Sequence, residues 1–372
     1  MRGTWRIARI FGIDVNIDSS WLIVFVLITW TLAGSYFPNQ YPGWDSGLYW
    51  IVGVATSLLF FTSVLAHELA HSLVAIGQGE KVRSITLFIF GGVAQITEEP
   101  DRAIKEFFMA IVGPLSSLVI ALAFGILWLV ARGFSEPVGA LARYLAIINA
   151  SVAFFNLIPG FPLDGGRVLR ALIWGISDNL RMATRVASWF GQGIAFLFML
   201  WGIWQVFTGA FINGLWIVFI GWFLRNASIS GYRQVVIRDM LQDVRVEDLM
   251  SRDFETVSPA LSIQQLVDDY VLRRRDHAYP VADGDLLRGI ICLHDVRAVP
   301  RQQWASKLVG EVMTPWEKLA TVSVDDDGNT VLTSMNTHNV GQLPVVEGNR
   351  VIGMLRRSDV LRFMQLRGEL GV

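Results

Sequence analysis

Long apolar runs and a polar remainder occupy different parts of the chain. Residues 19 to 224 hold extended uncharged stretches, whereas residues 225 to 372 carry frequent Asp, Arg and Glu. A helix needs about 20 apolar residues to cross a bilayer. The segments that qualify are about 19–36, 48–77, 106–131, 141–175, 187–207 and 211–225. The pattern therefore predicts a polytopic α-helical membrane protein, with about six transmembrane helices within residues 19–225.

Two shorter stretches predict strands beside these helices. In residues 1–18, Trp5, Ile7 and Ile10 alternate with arginines, which favours strands lying at the membrane surface. Between the second and third spans, residues 84–96 run from β-branched and aromatic side chains into Gly91 and Gly92, which favours strand over helix. This segment is too apolar for an aqueous loop and too short to cross. We expect either a hairpin that dips into the membrane against protein or an interfacial loop.

The polar tail contains an internal repeat. Residues 246–250 (VEDLM) return as 309–313 (VGEVM), and residues 279–281 (YPV) return as 343–345 (LPV). A spacing of about 63 residues exceeds that of the common solenoid repeats, so we expect two copies of one small α/β domain packed as a pair. The order of Pro-Val, turn, apolar strand, Asp and helix resembles tandem cystathionine-β-synthase (CBS) domains. The expected divisions are surface strands at 1–18, the membrane domain at 19–225, a linker at 226–244, and CBS domains at 245–306 and 307–372.

Composition supports a chain divided between lipid and water. Of 372 residues, 53% are hydrophobic and 17% are charged, and the mean hydropathy of +0.45 lies outside the range of soluble proteins. The net charge of -1 argues against a nucleic-acid partner, which would need clustered Lys and Arg. Cys292 is the sole cysteine, so no disulfide can form within the chain and a reducing compartment is favoured.

The positive charges indicate how the chain is oriented in the membrane, because Lys and Arg concentrate in loops on one side of the predicted spans. We therefore expect a multi-pass cell-membrane protein with both termini and the CBS pair in the cytoplasm.

The second apolar segment contains His67-Glu68-Leu69-Ala70-His71, which places two imidazoles one helical turn apart on a single face. Such a pair is a bidentate clamp for zinc, and Glu68 is placed to act as a general base toward water. The alternative is a pair of core histidines satisfied by hydrogen bonds. Ionisable groups in a bilayer cost about 2.5–3.5 kcal/mol each, which favours the metal site. His67 lies about ten residues, or roughly 15 Å, from the end of its span, so the metal is expected inside the membrane.

A third ligand is expected from another segment, because catalytic zinc usually has three protein ligands and a water. Asp164 is the candidate. It follows Asn156 in a stretch where Pro and Gly interrupt the fourth span. The alternative is that Asp164 pairs with Arg167 or caps the following helix. We expect His67, His71 and Asp164 to bind one zinc ion per chain.

These motifs together resemble the site-2 protease family of intramembrane metalloproteases. The resemblance covers roughly residues 5–224 and extends to Gly113-Pro114 in the third span. The proline removes one backbone donor, so we expect a break or bend there, serving either packing or function. The resemblance implies that His67, His71 and Asp164 ligate zinc. It also implies that Glu68 activates water and that Asn156 holds the substrate carbonyl or the oxyanion. An amide N–H suits that role because it stabilises negative charge without titrating. The alternative for Asn156 is a hydrogen bond to backbone groups freed by the nearby proline.

The resemblance to CBS pairs implies an adenosine nucleotide between the two copies, with an Asp on the ribose hydroxyls. Asp295 and Asp359 occupy those positions. The hydroxyl position expected near phosphate holds Cys292 in one copy and Arg356 in the other, a departure that counts against nucleotide binding. Arg356 or Arg357 could engage phosphate instead, although an exposed, solvated arginine is the favoured interpretation. CBS pairs often associate face to face, which implies a homodimer through the tails.

The function expected from these motifs is an intramembrane zinc metalloprotease. It would hydrolyse peptide bonds within or near transmembrane segments of membrane-anchored substrates, in contact with lipid, and its CBS pair would gate it. An unwound substrate could pair with the 84–96 hairpin as an added strand. The alternative is a CBS-regulated transporter or channel without proteolytic activity. The two differ at Glu68, because only the protease needs that carboxylate for peptide cleavage.

Overall fold

The computed structural model describes residues 4–89, 91–96, 100–241, 244–274, 277–284, 286–348 and 350–370. The chain divides into two units, Met1–Arg233 and Gln234–Val372, here termed the N-terminal unit and the C-terminal unit. The division falls inside the stretch predicted as a linker, residues 226–244.

Long apolar helices dominate the N-terminal unit. They are α1 (Ser19–Thr31), α2 (Ser46–Gly77), α3 (Ala103–Ala131), α4 (Glu136–Asn156), α5 (Asp164–Ser177), α6 (Leu180–Phe207) and α7 (Phe211–Leu241). Helix α1 continues through a π-helical turn at Leu32–Tyr36 into a short helix at Phe37–Gln40. Within the described residues, six helical segments are long and apolar enough to cross a membrane. The predicted polytopic helical fold is confirmed.

The observed helices differ from the predicted spans at three places. The predicted fourth span, 141–175, is two helices, because Pro159 and Pro162 lack a backbone donor and interrupt the ladder between α4 and α5. The predicted last span, 211–225, belongs to a helix that continues to Leu241 through most of the predicted linker. Helix α3 is continuous through Gly113-Pro114, where a break or bend was expected. Membrane helices tolerate such a proline because neighbouring groups satisfy the freed carbonyl.

Four strands form one sheet in the N-terminal unit. They are β1 (Thr4–Ile10), β2 (Ile13–Asp18), β3 (Val82–Phe88) and β4 (Gly91–Ile96), in the order β1-β2-β3-β4. Strands β2 and β3 are parallel, and the other neighbours are antiparallel. The predicted strands in 1–18 and 84–96 are confirmed. Strand β3 has a partner on each side, so the hairpin offers an edge only through β4.

Helix α3 is the scaffold of the N-terminal unit, since it packs against α2, α4 and α5. Its buried face combines small residues, Ala110 and Gly113, with the polar side chains of Glu106 and Ser117. Small residues let helix backbones approach closely, which is how membrane helices gain packing without a hydrophobic driving force. The polar side chains on this face consequently lie against neighbouring helices.

The C-terminal unit contains two three-stranded sheets, as expected for a pair of α/β domains. One has the order β5 (Ala278–Asp283), β6 (Leu286–Cys292), β7 (Thr314–Pro315), and the other has the order β10 (Arg350–Arg356), β9 (Gln342–Glu347), β8 (Val322–Ser323). The longer helices after α7 are α8 (Leu293–Ala298), α9 (Gly328–Thr337) and α10 (Arg357–Leu370). Residues 263–274 are also helical, as Ile263–Gln265, the π-helical Leu266–Val271 and Leu272–Arg274 in succession. Short helical turns lie at Val246–Leu249, Arg301–Gln303, Val309–Val312 and Trp316–Lys318.

The two repeats exchange their opening segments. Val246, from the start of the first repeat, is buried in a core with Leu343 and Val345 of the second. Val309, from the start of the second repeat, is buried in a core with Val281 of the first. The predicted division at 306/307 marks the repeat in the sequence, and each core draws its opening segment from the other copy.

Candidate metal centre

Helix α2 carries the two histidines deep in its length. Asp45 caps its N-terminus by accepting from the backbone N–H of Gly47 at 2.8 Å, and the helix runs to Gly77. Four residues of α-helix return a side chain to the same face, so the imidazoles of His67 and His71 lie along one side, edge to face. Both side chains are buried, and their Nε2 atoms lie 3.2 Å apart.

Asp164 meets the histidines from α5, of which it is the first residue. Its Oδ2 atom lies 3.1 Å from Nε2 of His67 and 3.3 Å from Nε2 of His71. The fold of the preceding loop requires glycine after Asp164, because a Cβ at Gly165 would lie 2.5 Å from the carbonyl oxygen of Ile158. The alternative pairing with Arg167 is not observed, since the hydrogen bond and ion pair of Arg167 go to Met109 and Glu106.

The three candidate ligand atoms are close enough together to hold one tetrahedral zinc ion. Their mutual distances are 3.1, 3.2 and 3.3 Å. Ligands at about 2.0–2.2 Å from a tetrahedral zinc stand roughly 3.3–3.6 Å apart, so the observed separations lie at or slightly below that range. Two imidazoles and one carboxylate are a donor set that zinc accepts in catalytic sites, which keep a fourth position open. Among the described residues this trio is the group of His, Cys, Asp and Glu side chains that could hold a metal ion.

Helix α3 orients both imidazoles. Nδ1 of His71 donates to the backbone carbonyl of Met109 at 2.6 Å, and Nδ1 of His67 lies 2.9 Å from Oγ of Ser117. A proton held on Nδ1 leaves the lone pair of Nε2 free for a metal, which is the usual arrangement around histidine ligands. Sequence reasoning missed both partners. A backbone carbonyl has no signature in the sequence, and one serine in an apolar helix has little.

Gly113 makes room for the imidazoles. A Cβ at this position would lie 2.7 Å from Nε2 of His67 and closer still to Nε2 of His71. Any side chain here would therefore displace the ligands. The structure indicates that the lack of a side chain at Gly113 leaves the space that the two imidazoles occupy.

Strand β4 passes directly beside Glu68. The side chain of Glu68 is partly buried, and a Cβ added to Gly92 would lie 3.0 Å from its Cδ and 3.2 Å from its Oε1. The absence of a side chain at Gly92 lets an edge strand approach the predicted general base. The carboxylate therefore stands between the histidine helix and a strand with one free edge.

The structure does not join Asn156 to the other predicted site residues. It is the last residue of α4, at the start of the loop that leads to Asp164. Among the described residues, no hydrogen bond links its amide to His67, Glu68 or Asp164. Its predicted contact with substrate stays a prediction.

In the C-terminal unit, the predicted nucleotide ligands lie at helix N-termini. Asp295 accepts from the backbone N–H of Cys292 at 2.9 Å, and Asp359 accepts from that of Arg356 at 3.1 Å. Each carboxylate thus caps its own helix, α8 or α10. Burial, and to a lesser degree the charge of Asp295, raises the pKa of the Cys292 thiol to about 11. Neither cap tests whether a nucleotide binds.

Comparison with known proteins matches both units. The model of Peptidase family M50 matches residues 55–139 and 130–200, and the model of the CBS domain matches residues 246–301 and 309–366. The protein sll0528 of Synechocystis sp., named as a candidate zinc metalloprotease, is 33% identical over 98% of this chain and 96% of its own. The zinc metalloprotease MJ0392 of Methanocaldococcus jannaschii is 28% identical over 97% and 96%. A solved structure titled as a site-2 protease from that organism is 26% identical, covers 62% of this chain and 95% of its own, and has a TM-score of 0.42.

Apolar helices that bring two histidines and an aspartate to one point define a membrane metalloprotein. Sequence identity extends along nearly the whole chain to a relative named as a metalloprotease. The chain belongs to peptidase family M50, the site-2 proteases, and carries a tandem pair of CBS domains. It is a zinc metalloendopeptidase, and the transporter or channel alternative is not favoured.

Proposed function

We propose that this protein performs regulated intramembrane proteolysis, cutting membrane-anchored substrates within or near their transmembrane segments. The observation that carries the proposal is the convergence of His67, His71 and Asp164 at distances of 3.1–3.3 Å within helices apolar enough to span a membrane. A hydrolytic site at that depth can reach bonds that aqueous proteases cannot. The multi-pass protein would have both termini and the CBS pair in the cytoplasm.

His67, His71 and Asp164 would hold one zinc ion, with Ser117 and the Met109 carbonyl fixing the imidazoles. Zinc bound there supplies Lewis acidity, which polarises the scissile carbonyl and lowers the pKa of water. Glu68 takes the proton that the attacking water loses, holds it on its carboxylate, and passes it to the leaving amine. Asn156 would donate its amide N–H to the substrate carbonyl as negative charge develops there.

Substrate presentation would use β4. A transmembrane helix hides its carbonyls in its own hydrogen bonds, so it must unwind before attack. An extended segment then needs new backbone partners, which an edge strand supplies. Among the described residues β4 is the last strand of its sheet and approaches Glu68 at Gly92, whereas β3 is paired on both sides. Proline placed in turn at Val93, Ala94 and Gln95 should reduce cleavage at one or more positions with zinc retained; full cleavage at all three would remove β4 from this role.

The CBS pair would gate the protease. One helix, α7, ends at Leu241, whose side chain is fully buried in the core of the C-terminal unit. The helix that contains the last span therefore contributes its final residue to that core. An adenosine nucleotide held by Asp295 and Asp359 is one candidate signal, and a homodimer through the tails is one candidate assembly. Cleavage measured with and without ATP, AMP or S-adenosylmethionine tests the signal, and light scattering of the purified chain tests the assembly.

The decisive experiment compares wild type with Glu68→Gln in detergent. We expect about one zinc per chain in both proteins, because Glu68 is not a ligand. Cleavage of a model transmembrane substrate should fall about 100-fold or more in the variant, the usual contribution of a general base. Equal cleavage by the two proteins, or wild type without zinc, would contradict the proposed mechanism.

A further inference from the structure

A second buried polar cluster lies between α3 and α5. Glu106, in the first turn of α3, is fully buried, and its Oε1 accepts from Nε of Arg170 at 2.7 Å and also from Nη2 of the same guanidinium. Arg170 is buried as well, and its guanidinium lies 5.1 Å over the ring of Phe161. Nε of Arg167 lies 3.7 Å from the same carboxylate oxygen. Charges removed from water in this way are retained only when their partners stay in place, so the cluster strongly constrains the two helices.

The members of this cluster belong to the elements that carry the metal centre. Asp164 opens α5, and Arg167 and Arg170 follow it over the next two turns. Phe161 lies in the loop that leads to Asp164. The ion pair therefore holds the helix and the loop that together place the third ligand.

On the α3 side, the cluster is connected to His71 through Met109. Met109 lies one turn after Glu106 on α3, and its carbonyl accepts from Nδ1 of His71. The sulfur of Met109 accepts from Nη2 of Arg167 at 3.3 Å. Met109 thus connects His71, which its carbonyl supports, to α5, the helix that carries Asp164.

We infer that Glu106 and Arg170 are positioning residues for the metal centre. Their ion pair fixes α5 against α3 so that Asp164 lies within ligand distance of both imidazoles. This role rests on the proposed zinc ligation by His67, His71 and Asp164. Helix α5 has 14 residues and follows a loop interrupted by prolines, so its N-terminus needs such an anchor to hold a carboxylate to within a few tenths of an ångström.

Three variants test the inference, with zinc affinity as the main measurement. Glu106→Gln keeps the shape and the acceptor oxygen but removes the charge. Arg170→Met keeps most of the volume and removes the donors. Arg170→Lys keeps the charge in the site but not the paired donors, so it preserves a folded protein if the other two do not fold. Ser228→Ala is the control, because Oγ of Ser228 donates to the carbonyl of Ser188 at 2.9 Å in a buried contact between α6 and α7 that includes no member of the cluster.

The zinc dissociation constant of each variant is measured by competition with a chromophoric chelator. The visible spectrum of the cobalt-substituted protein reports the geometry of the metal ligands. We expect zinc affinity to fall about 10- to 100-fold in Glu106→Gln and Arg170→Met, less in Arg170→Lys, with an altered cobalt spectrum in each. Ser228→Ala should lower the melting temperature only. A purely structural pair would give folded variants with lowered melting temperatures, zinc affinities within twofold of wild type and unchanged cobalt spectra, and that result would overturn the inference.

A ligand variant separates this inference from the proposed function. If wild type and His67→Ala both lack tight zinc, the proposed metal site itself fails. If His67→Ala loses zinc while Glu106→Gln and Arg170→Lys keep wild-type affinity, the site stands and only the positioning role is wrong.

Discussion

Acidic side chains have different partners in the two units. Oδ2 of Asp164 in the N-terminal unit contacts imidazoles 97 and 93 residues away in the chain, on another helix. In the C-terminal unit, Asp295 and Asp359 accept from backbone N–H groups three residues earlier, at the start of their own helices. The first arrangement exists only when distant segments come together. The second forms with each helix.

The difference follows from the solvent of each unit. An ionisable group among membrane helices has no water to satisfy it, so it is retained only with protein partners and commonly serves a function. A carboxylate in a water-facing domain is satisfied by a nearby N–H or by solvent, and its presence shows little about a ligand. Candidate site residues in the N-terminal unit therefore carry more weight than those in the C-terminal unit.

Asp164→Asn should have the largest effect, because it removes the charge of the proposed anionic ligand, which comes from a different helix than the histidines. We expect zinc to be lost on purification and cleavage of a transmembrane substrate to fall about 1000-fold or more, which is roughly 4 kcal/mol of transition-state stabilisation. Asp178→Asn is the control, an exposed acid just after the other end of α5. Zinc content by atomic absorption and the cleavage rate check the prediction, and a variant that retained both would show that Asp164 is not a ligand.

Gly113→Ala should damage the same centre without touching a ligand. A Cβ there would overlap both imidazoles, so the histidines or α3 must shift, and zinc affinity should fall about 10- to 100-fold. Gly125→Ala in the same helix is the matched control, since a Cβ at Gly125 would have nothing within 4 Å. Chelator competition on both variants measures the effect. Equal zinc affinities of the two variants would mean that the imidazoles can shift without weakening zinc binding.

How much of the fold and of the site can be predicted from the sequence depends on whether each feature is marked by neighbouring residues or arises from contacts between distant segments. The length of apolar runs and the four-residue spacing of His67 and His71 are local, so the helices and the histidine pair could be read directly. Met109 and Ser117 support the histidines only after α3 has packed, and nothing local marks them. The partnership of Glu106 and Arg170 had a usable signal, an arginine inside an apolar stretch, but no local pattern identifies its partner.

The repeat in the C-terminal unit shows the same limit. Its period identified two copies of one domain and the fold class. It could not show that Val246 and Val309 each join the core of the other copy, because both placements bury the same apolar side chain. Sequence similarity between repeats aligns them without showing which copy each segment packs against.

Gly92→Ala should have a smaller effect that separates chemistry from metal binding. The added methyl would press on the carboxylate of Glu68, so kcat should fall about tenfold while zinc stays bound. Val93→Ala, in the same strand with a largely exposed side chain, is the control. Steady-state kinetics with zinc analysis measures both. Loss of zinc in Gly92→Ala would instead place β4 among the supports of the ligands.

The smallest expected effect concerns the cap of α8. The charge of Asp295 contributes to the raised pKa of Cys292, although burial contributes more. Asp295→Asn keeps an oxygen that can accept from the Cys292 N–H but removes the charge, so the thiol pKa should fall and the thiolate fraction at pH 8.5 should rise. Because burial remains, the reaction rate with a disulfide reagent should increase less than about tenfold. Cys292 is the sole cysteine, so the signal is unambiguous.

Asp359→Asn is the paired control, since it alters the equivalent cap in the other copy, where Arg356 stands in place of the thiol. It should leave the Cys292 rate unchanged. Each substitution should lower module stability by no more than about 1 kcal/mol, the usual range for a cap. If Asp295→Asn reacted at the wild-type rate, the carboxylate would not influence the thiol. A faster rate would instead support a local role for Asp295, in contrast to the long-range role of Asp164.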